Sequence, residues 1–426
     1  MENSVDGNAE ARRKARVKAR WEILRQALTG EVPLPKTHPP SNGSDRGYHT
    51  HSMNAFPGFQ VLDRTVLSPP PPRSEIFGND DNVSHEVVEY RYTSRDGAPQ
   101  VQFKAREVAL QQQSATMKSR LEELLSHRTH GVDNTGNVRV WDSEGVLAVF
   151  LLSTILDEDP SCDTEALIET RNALRDMITA HGDRDHPTVE ECNVLELGCG
   201  QAGLAGLALA SLGSASGGST RAKRMNIMLT DGHPKCIANN RACADMIAKG
   251  GDTVRAEILL WDSSPNGKLA CANINQVASD NHNSVASKSQ SLVGDGSFDI
   301  CLASDCVHFQ DFHDGLLLTI ARTLSVNGIA LLCQPARGAS LENFMSLVDF
   351  VNGRGGGVLL DMTLIEEFVP KVSSLHAGLV SNTNDDSTYD PDRHRPLLLV
   401  MRKMRILDEV VDGSSVQLLK LKTALT

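Results

Sequence analysis

The most regular feature of the chain is a series of short apolar runs separated by longer stretches of helical character. Val194–Leu197, Asn226–Thr230, Arg255–Leu260, Phe298–Ala303 and Ile329–Cys333 each have strand length and a β-rich composition. Strands covered on both faces read as continuous apolar runs rather than as alternation. Their repeated alternation with helical segments predicts a parallel sheet with helices on both faces. A last strand candidate, Leu397–Met401, follows Pro396. Ahead of the repeat, apolar and polar positions alternate at Val87–Tyr92 and Val101–Phe103, around Arg95, Asp96 and Gly97, which predicts a β-hairpin. A helix is expected over about Ser114–Leu125, and Ser143 is placed to N-cap an apolar helix running through Leu152.

Where this patterning stops, composition changes with it. From Thr29 to Asn82 the chain is rich in Pro, Gly, Ser, Asn and Asp, including Pro69 to Pro72, and is expected to be a disordered linker. The organisation expected is a basic helix over 1–28, with Trp21, Leu24 and Leu28 on one face, and a linker over 29–85. A hairpin and helix extension over 86–131 and the main domain over 132–404 come next, then a tail over 405–426. Within the main domain, 263–297 is too polar to form a core element and is expected to be a surface insertion.

Charge and cysteine usage narrow the class. A formal charge of −12 opposes a role in coating nucleic acid, since phosphate binding needs a surplus of Lys and Arg. The nine cysteines are scattered without the CxxC pairing of a zinc site, so no metal is expected and the thiols read as reduced, in cytoplasm or nucleus. No run of about 18 apolar residues occurs, and the basic start lacks the apolar segment of a secretory signal, so neither a membrane span nor secretion is expected. The run from Arg12 to Arg20 reads as a solvated helix face or as a docking or nuclear-address arm.

The chemistry concentrates at strand ends. Val194 to Gly203 runs from a buried strand into a turn with Gly198, Gly200 and Gly203, where the backbone can approach a ligand closely. The same glycines satisfy the GxGxxG spacing of dinucleotide-binding enzymes, so the turn alone does not choose between cofactors. Asp231, after the second strand, is placed to accept from ribose hydroxyls in either class. Glu196, two before the first glycine, favours a methyl-donor site over a nicotinamide one. At the end of the third strand, Trp261 offers a ring to cover a base and Asp262 an acceptor for an adenine amine. Their plainer reading is core packing and a loop cap. Asp305, closing the fourth strand with Ser304 and Cys306, is the leading candidate for the reacting centre.

These residues resemble the seven-strand, class I protein-lysine methyltransferases, and among them the calmodulin-lysine methyltransferases most closely. The likeness rests on Asp133 to Val138 before Trp141, then Ser143, Glu144 and Val146 to Ala148. It continues through Leu229 to Gly232, Trp261 and Asp262, Asp305 and Cys306, Pro335 to Gly338, and Arg395 to Leu399. It implies a seven-stranded Rossmann-like sheet and S-adenosylmethionine as methyl donor. The substrate it implies is a protein lysine, calmodulin's foremost, with another lysine or a small molecule as the alternative and a nicotinamide-dependent oxidoreductase as the rival class. By the same resemblance Trp141, Glu196, Gly198, Gly200, Asp231, Gly232, Trp261, Asp262 and Ser304 would line the cofactor site. Asp305 would stand in the family's D-x-x-aromatic motif. There the chain departs from pattern: His308 takes the aromatic position and Phe309 follows it.

Overall fold

The computed structural model describes residues 58–67, 85–94, 100–108, 140–157, 164–179, 190–212, 222–247, 253–261, 271–272, 296–308, 310–353, 359–381 and 389–404. The basic helix, the helix over Ser114–Leu125, Asp133 to Val138, most of the 263–297 insertion and the tail lie outside them.

The expected strands form: β4 (Glu191–Leu197), β5 (Arg224–Asp231), β6 (Thr253–Leu259), β8 (Phe298–Ser304), β9 (Leu324–Gln334) and β11 (Leu397–Met404). They are preceded by β1 (Asp63–Leu67), β2 (His85–Thr93) and β3 (Gln100–Val108), and joined by β7 (Cys271–Ala272) and β10 (Leu359–Ile365). The main sheet has the order β10-β11-β9-β8-β4-β5-β6-β7. β4, β5, β6, β8 and β9 pair in parallel, while β11 is antiparallel to both β9 and β10. Seven strands make the sheet, extended at one edge by the two residues of β7. The order reverses between β4 and β8. In an open α/β sheet that reversal opens a crevice at the carboxyl ends of the strands, where ligands bind.

Period-two alternation sorts the side chains. Leu195, Leu197, Met228, Cys301, Ala303, Ala330 and Leu332 form one buried cluster with α5 (His313–Thr323) and α6 (Ser340–Gly353), whose positions are given by Leu316, Leu317, Ile320, Phe344 and Val348. On the opposite face Glu196, Ile227 and Leu229 lie under Gly206 of α3 (Leu204–Ala210), so close that a Cβ there would meet all three. Beside α3 pack α1 (Asp142–Leu156) and α4 (Pro234–Ile247). The remaining helices are α2 (Glu165–Ile178), α7 (Pro370–Ser381) and α8 (Pro391–His394). Among the described residues no helix is long and apolar enough to cross a membrane.

Three expectations are corrected. The linker expected over 29–85 contains a strand: β1 pairs with β2, Asp63 opposite Arg91 through Leu67 opposite Val87, and Phe59 and Leu62 are buried just before it. β1 is mostly exposed and draws its stability from pairing, which its own sequence does not announce. Within the insertion, β7 extends the sheet from β6. Ser143 is not the N-cap of α1, for it is buried inside the helix while Trp141 is the cap residue. The Trp141 N–H donates to Glu144 Oε1 at 3.1 Å, so a carboxylate in the first turn reaches back to the orphan amide that a capping hydroxyl would otherwise leave.

The hairpin becomes part of a three-stranded sheet in the order β1-β2-β3. Tyr90 stacks on Phe103 at 5.5 Å, and the Tyr90 hydroxyl donates to Glu107 Oε1, whose Oε2 is 3.1 Å from Arg64 Nη2. This sheet is tied to the main one. Tyr92 donates to Asp157 Oδ2 at 2.6 Å, just past the end of α1, and Asn239 of α4 donates to Arg106 O in β3 at 2.7 Å.

Candidate active site

Three glycines shape the crevice floor. Gly198, Gly200 and Gly203 have φ of 60°, 56° and 52°, a region that side chains with a Cβ rarely adopt. At Gly198 space is the second constraint: a Cβ would lie 2.7 Å from Cys306 Sγ and 3.2 Å from the Trp261 ring. The turn is pinned at both sides, since Cys199 N–H donates to Thr230 O at 2.8 Å and Asn240 Nδ2 donates to Gly200 O at 2.8 Å. Asn239 Nδ2, already on Arg106 O, also donates to Gln201 O at 2.7 Å. One amide thus joins β3 to the glycine turn.

Asp231 accepts from Gly200 N–H through Oδ2 at 3.0 Å and from His233 N–H through Oδ1 at 2.7 Å. Its carboxylate therefore holds two strand ends together. Gly232 forms the bend directly after it.

Two buried carboxyls face this floor. Glu196 Oε2 accepts from Gly206 N–H at 2.7 Å, while Oε1 has no hydrogen-bond partner among the described residues. Burial pushes its pKa up to about 8, against the pull of the Gly206 amide. Glu144 is buried too. Its Oε1 takes the Trp141 amide and Oε2 has no partner among the described residues. Burial holds its carboxyl well above the usual range, and the Trp141 amide opposes this while the charges of Glu196, Glu107 and Asp305 add to it. The side-chain oxygen of Ser304, at the end of β8, is another buried atom without a hydrogen-bond partner among the described residues.

Asp305 follows Ser304 with φ of 55° and donates its N–H to Cys333 O at 3.0 Å. Its carboxylate is gripped on both oxygens by Arg337, through Nε to Oδ1 at 2.8 Å and through Nη2 to Oδ2. Arg337 also has a left-handed backbone, φ 48°, with its N–H donating to Asp392 O at 2.7 Å just after the start of α8. Its guanidinium carbon lies 5.7 Å from the Trp141 ring centroid. Trp141, Arg337 and Asp305 thus form a continuous wall from the start of α1 to the end of β8.

Beyond Asp305 the chain makes a short 3-10 turn, Cys306–His308, fixed from three sides. Val307 N–H donates to Gln334 Oε1 at 3.1 Å, and Val307 O meets both Ser340 Oγ and His313 Nε2. Trp261 stands opposite, partly buried, with Phe312 edge-on at 6.5 Å.

The crevice brings together Trp141, at the start of α1, with Glu196, Gly198, Gly200, Asp231, Gly232, Trp261, Ser304 and Asp305, which stand at carboxyl ends of strands or in the turns beyond them. His308 closes the 3-10 turn, half-buried, while Asp262 and Phe309 lie outside the described residues. Two participants carry no role in the sequence reading, Glu144 and Arg337. A carboxylate in the first turn of an otherwise apolar helix is the signal for the first.

Residues 122–350 match the family described as lysine methyltransferases, more than half of the chain. The chain belongs to that family. Membership sets aside the oxidoreductase alternative that the GxGxxG spacing left open. Calmodulin-lysine N-methyltransferase of Arabidopsis thaliana is 26% identical over 384 residues, covering 89% of this chain and 94% of that protein. Among solved structures, an S-adenosylmethionine-dependent methyltransferase from Mesorhizobium loti is 16% identical, covering 51% of this chain and 93% of its own, with a TM-score of 0.28. Phosphoethanolamine N-methyltransferase 1 of Haemonchus contortus, in complex with phosphoethanolamine and S-adenosylhomocysteine, is 13% identical with a TM-score of 0.30. That match covers 67% of this chain and 53% of its own. Likenesses this distant carry nothing about the chemistry of this methyltransferase.

Proposed function

We propose that this methyltransferase moves methyl groups from S-adenosylmethionine to the ε-amine of a lysine on a protein partner, with calmodulin the leading candidate. Family membership supports the lysine, and the Arabidopsis thaliana relative supports calmodulin. The observation that carries the donor is the pair of buried carboxyl oxygens, Glu144 Oε2 and Glu196 Oε1, that have no hydrogen-bond partner among the described residues, beside a glycine turn. A buried acceptor left unmade costs about 1–3 kcal/mol, and more when charged. A ligand with a positive sulfonium and an ammonium group relieves that cost. Trp141, Glu196, Gly198, Gly200, Asp231, Gly232, Trp261, Asp262 and Ser304 would hold it, with Glu144 added to that set.

When bound, the donor supplies a methyl group activated by its positive sulfur. The chain's own task is to present a neutral amine in line with it. A lysine near pKa 10.4 loses its proton at neutral pH at a cost of about 4–5 kcal/mol. The half-buried His308 reduces that cost by desolvating the ammonium form, with Phe309 next to it in the sequence as a second candidate ring. Asp305 takes a different part from that of a base. Because Arg337 forks onto both of its oxygens, its charge is compensated and its plane is fixed, and the carboxylate so held aims the amine Nζ while water takes the proton.

The test is incubation of the full chain with labelled S-adenosylmethionine and recombinant calmodulin, followed by mass mapping of the modified residue. Label on a calmodulin lysine is the expected result. Uptake of the donor by calorimetry without transfer to calmodulin moves the substrate to another protein, and no uptake at all overturns the proposal.

A further inference from the structure

Away from the crevice a second cavity carries the opposite electrostatic character. It measures about 330 Å³ and lies between β1 and β2, the second half of α1, α2 and the start of α7. Arg91, Arg171, Arg175 and Lys371 line it, against Asp63 and Asp157, so four cations face two carboxylates in the lining, with Glu89 beside Arg91 as a third at the rim and a surplus of one left over. The whole chain carries −12. Such a local inversion concentrates positive potential in a low-dielectric recess, where it acts more strongly than on an open surface.

The deep cations are held in place by the fold. Arg175 Nε donates to Thr154 O at 2.7 Å and Nη2 to Asp157 O at 3.0 Å, satisfying carbonyls at the end of α1. Arg171 donates to Thr154 Oγ1 at 3.0 Å and to Phe368 O at 3.2 Å, with its guanidinium 5.1 Å from the Phe150 ring centroid. One opposing carboxylate is already engaged, since Asp157 Oδ2 accepts from Tyr92. Nearer the solvent, Arg91 has a side chain 43% exposed and 3.4 Å from Glu89, and the exposed Lys371 donates to Gln60 O at 2.8 Å.

The lining places the cavity on the β10 side of the main sheet, whose carboxyl edge carries the candidate active site. Pro370 and Lys371 open α7, five and six residues past the carboxyl end of β10, and β10 stands three strand spacings from β8, about 14 Å. Helix α1, 15 residues and about 22 Å long, joins the two, with Trp141 at the crevice and Asp157 at the cavity. A folded protein with its lysine at Asp305 reaches both.

We propose that this cavity is a docking site for acidic side chains of the protein substrate, holding a Glu- or Asp-bearing segment at a distance from the methylated lysine. The proposal rests on the lysine-methylation reading for the identity of its occupant. Arg91→Glu with Lys371→Glu reverses the outer charges and leaves Arg171 and Arg175 in their structural bonds. Two measurements on the full chain test it: anisotropy with a fluorescein-labelled hexaglutamate peptide, and methyl transfer to calmodulin. At low salt the double variant is expected to bind the peptide at least about tenfold more weakly and to raise KM for calmodulin by a similar factor. Its kcat, its affinity for S-adenosylmethionine and its melting temperature stay unchanged. Peptide binding that is equal in both proteins, or absent from both, overturns the proposal. If peptide binding is lost in the variant while neither protein methylates calmodulin, the substrate assignment fails and the docking site stands. Should the reversed variant fold poorly, Arg91→Gln with Lys371→Gln is expected to show a smaller loss in the same direction, and no loss overturns the proposal.

Discussion

Arg337 and Glu196 show how single residues set the chemistry of the crevice. A carboxylate aimed by a two-point guanidinium fork has its oxygens fixed in a plane, and that geometry belongs to Arg alone, since Lys offers a point charge on a flexible stem. Arg337→Ala, which frees Asp305 to move, is expected to lower kcat about 100-fold while leaving donor affinity within about threefold. Asp305→Ala is expected to abolish turnover, and the double variant to be no worse than Asp305→Ala alone, because the two act as one unit. Turnover kept by either single variant, read in single-turnover kinetics, removes the fork from the mechanism. Glu196 makes a prediction in pH. Its folded pKa, about 8, lies above the ordinary carboxyl value of 4.5, so the fold favours its protonated form. The stability it contributes is complete below about pH 4.5 and lost as pH rises through about 8, a difference of about 4–5 kcal/mol across that window. A cationic donor favours the charged form instead. Binding of S-adenosylmethionine is therefore expected to release a proton below pH 8 and to strengthen from pH 6 to pH 8. In Glu196→Gln both effects shrink, and what is left comes from Glu144, whose carboxyl burial also holds above its usual range. Calorimetry in buffers of different ionisation enthalpy measures the released proton, and equal pH profiles for the two proteins exclude Glu196 as its source.

Between elements, Asn239 is the most exposed to test. Its one amide nitrogen serves carbonyls in β3 and in the glycine turn, so Asn239→Ala strands two buried acceptors at once. A loss of about 1–3 kcal/mol in unfolding free energy is expected, with weaker donor binding because Gln201 loses its anchor. If denaturant titration and donor affinity are both unaltered, the three-stranded sheet does not support the turn. Such links were not legible in the sequence, whereas the strands they join were. β4, β5, β8 and β9 read clearly because a strand covered on both faces is a near-continuous apolar run, as Ile329 to Cys333 is throughout and Val194 to Leu197 is apart from Glu196. β10 and β1 did not read, since each exposes much of its length and owes its place to a neighbour. The candidate site divides the same way. Glycines and acids at fixed offsets from a strand end were legible at Gly198, Gly200, Asp231 and Asp305. The pairing of Asp305 with Arg337 was not, for it joins residues 32 apart that both adopt a left-handed backbone uncommon for their types.

For the molecule as a whole, the sign of the charge is the remaining puzzle. A chain of −12 repels an acidic partner at long range, so association with one has to be carried by local positive regions. Two are available: the cavity lined by Arg171 and Arg175, and the basic run from Arg12 to Arg20 in the sequence. They differ in what they feel. An exposed arm acts through solvent, where a Debye length of about 8 Å at physiological ionic strength erases its influence. Cations recessed beside a bound carboxylate are screened far less. Removal of residues 1–20 is therefore expected to raise KM for calmodulin at low salt and to have little effect at physiological salt, mainly through a slower association rate. The Arg91→Glu, Lys371→Glu variant is expected to keep part of its effect at the higher salt. Stopped-flow association rates across a salt series separate the two, and a truncation whose effect persists undiminished at high salt would mean that the arm binds its partner by direct contact instead of steering it.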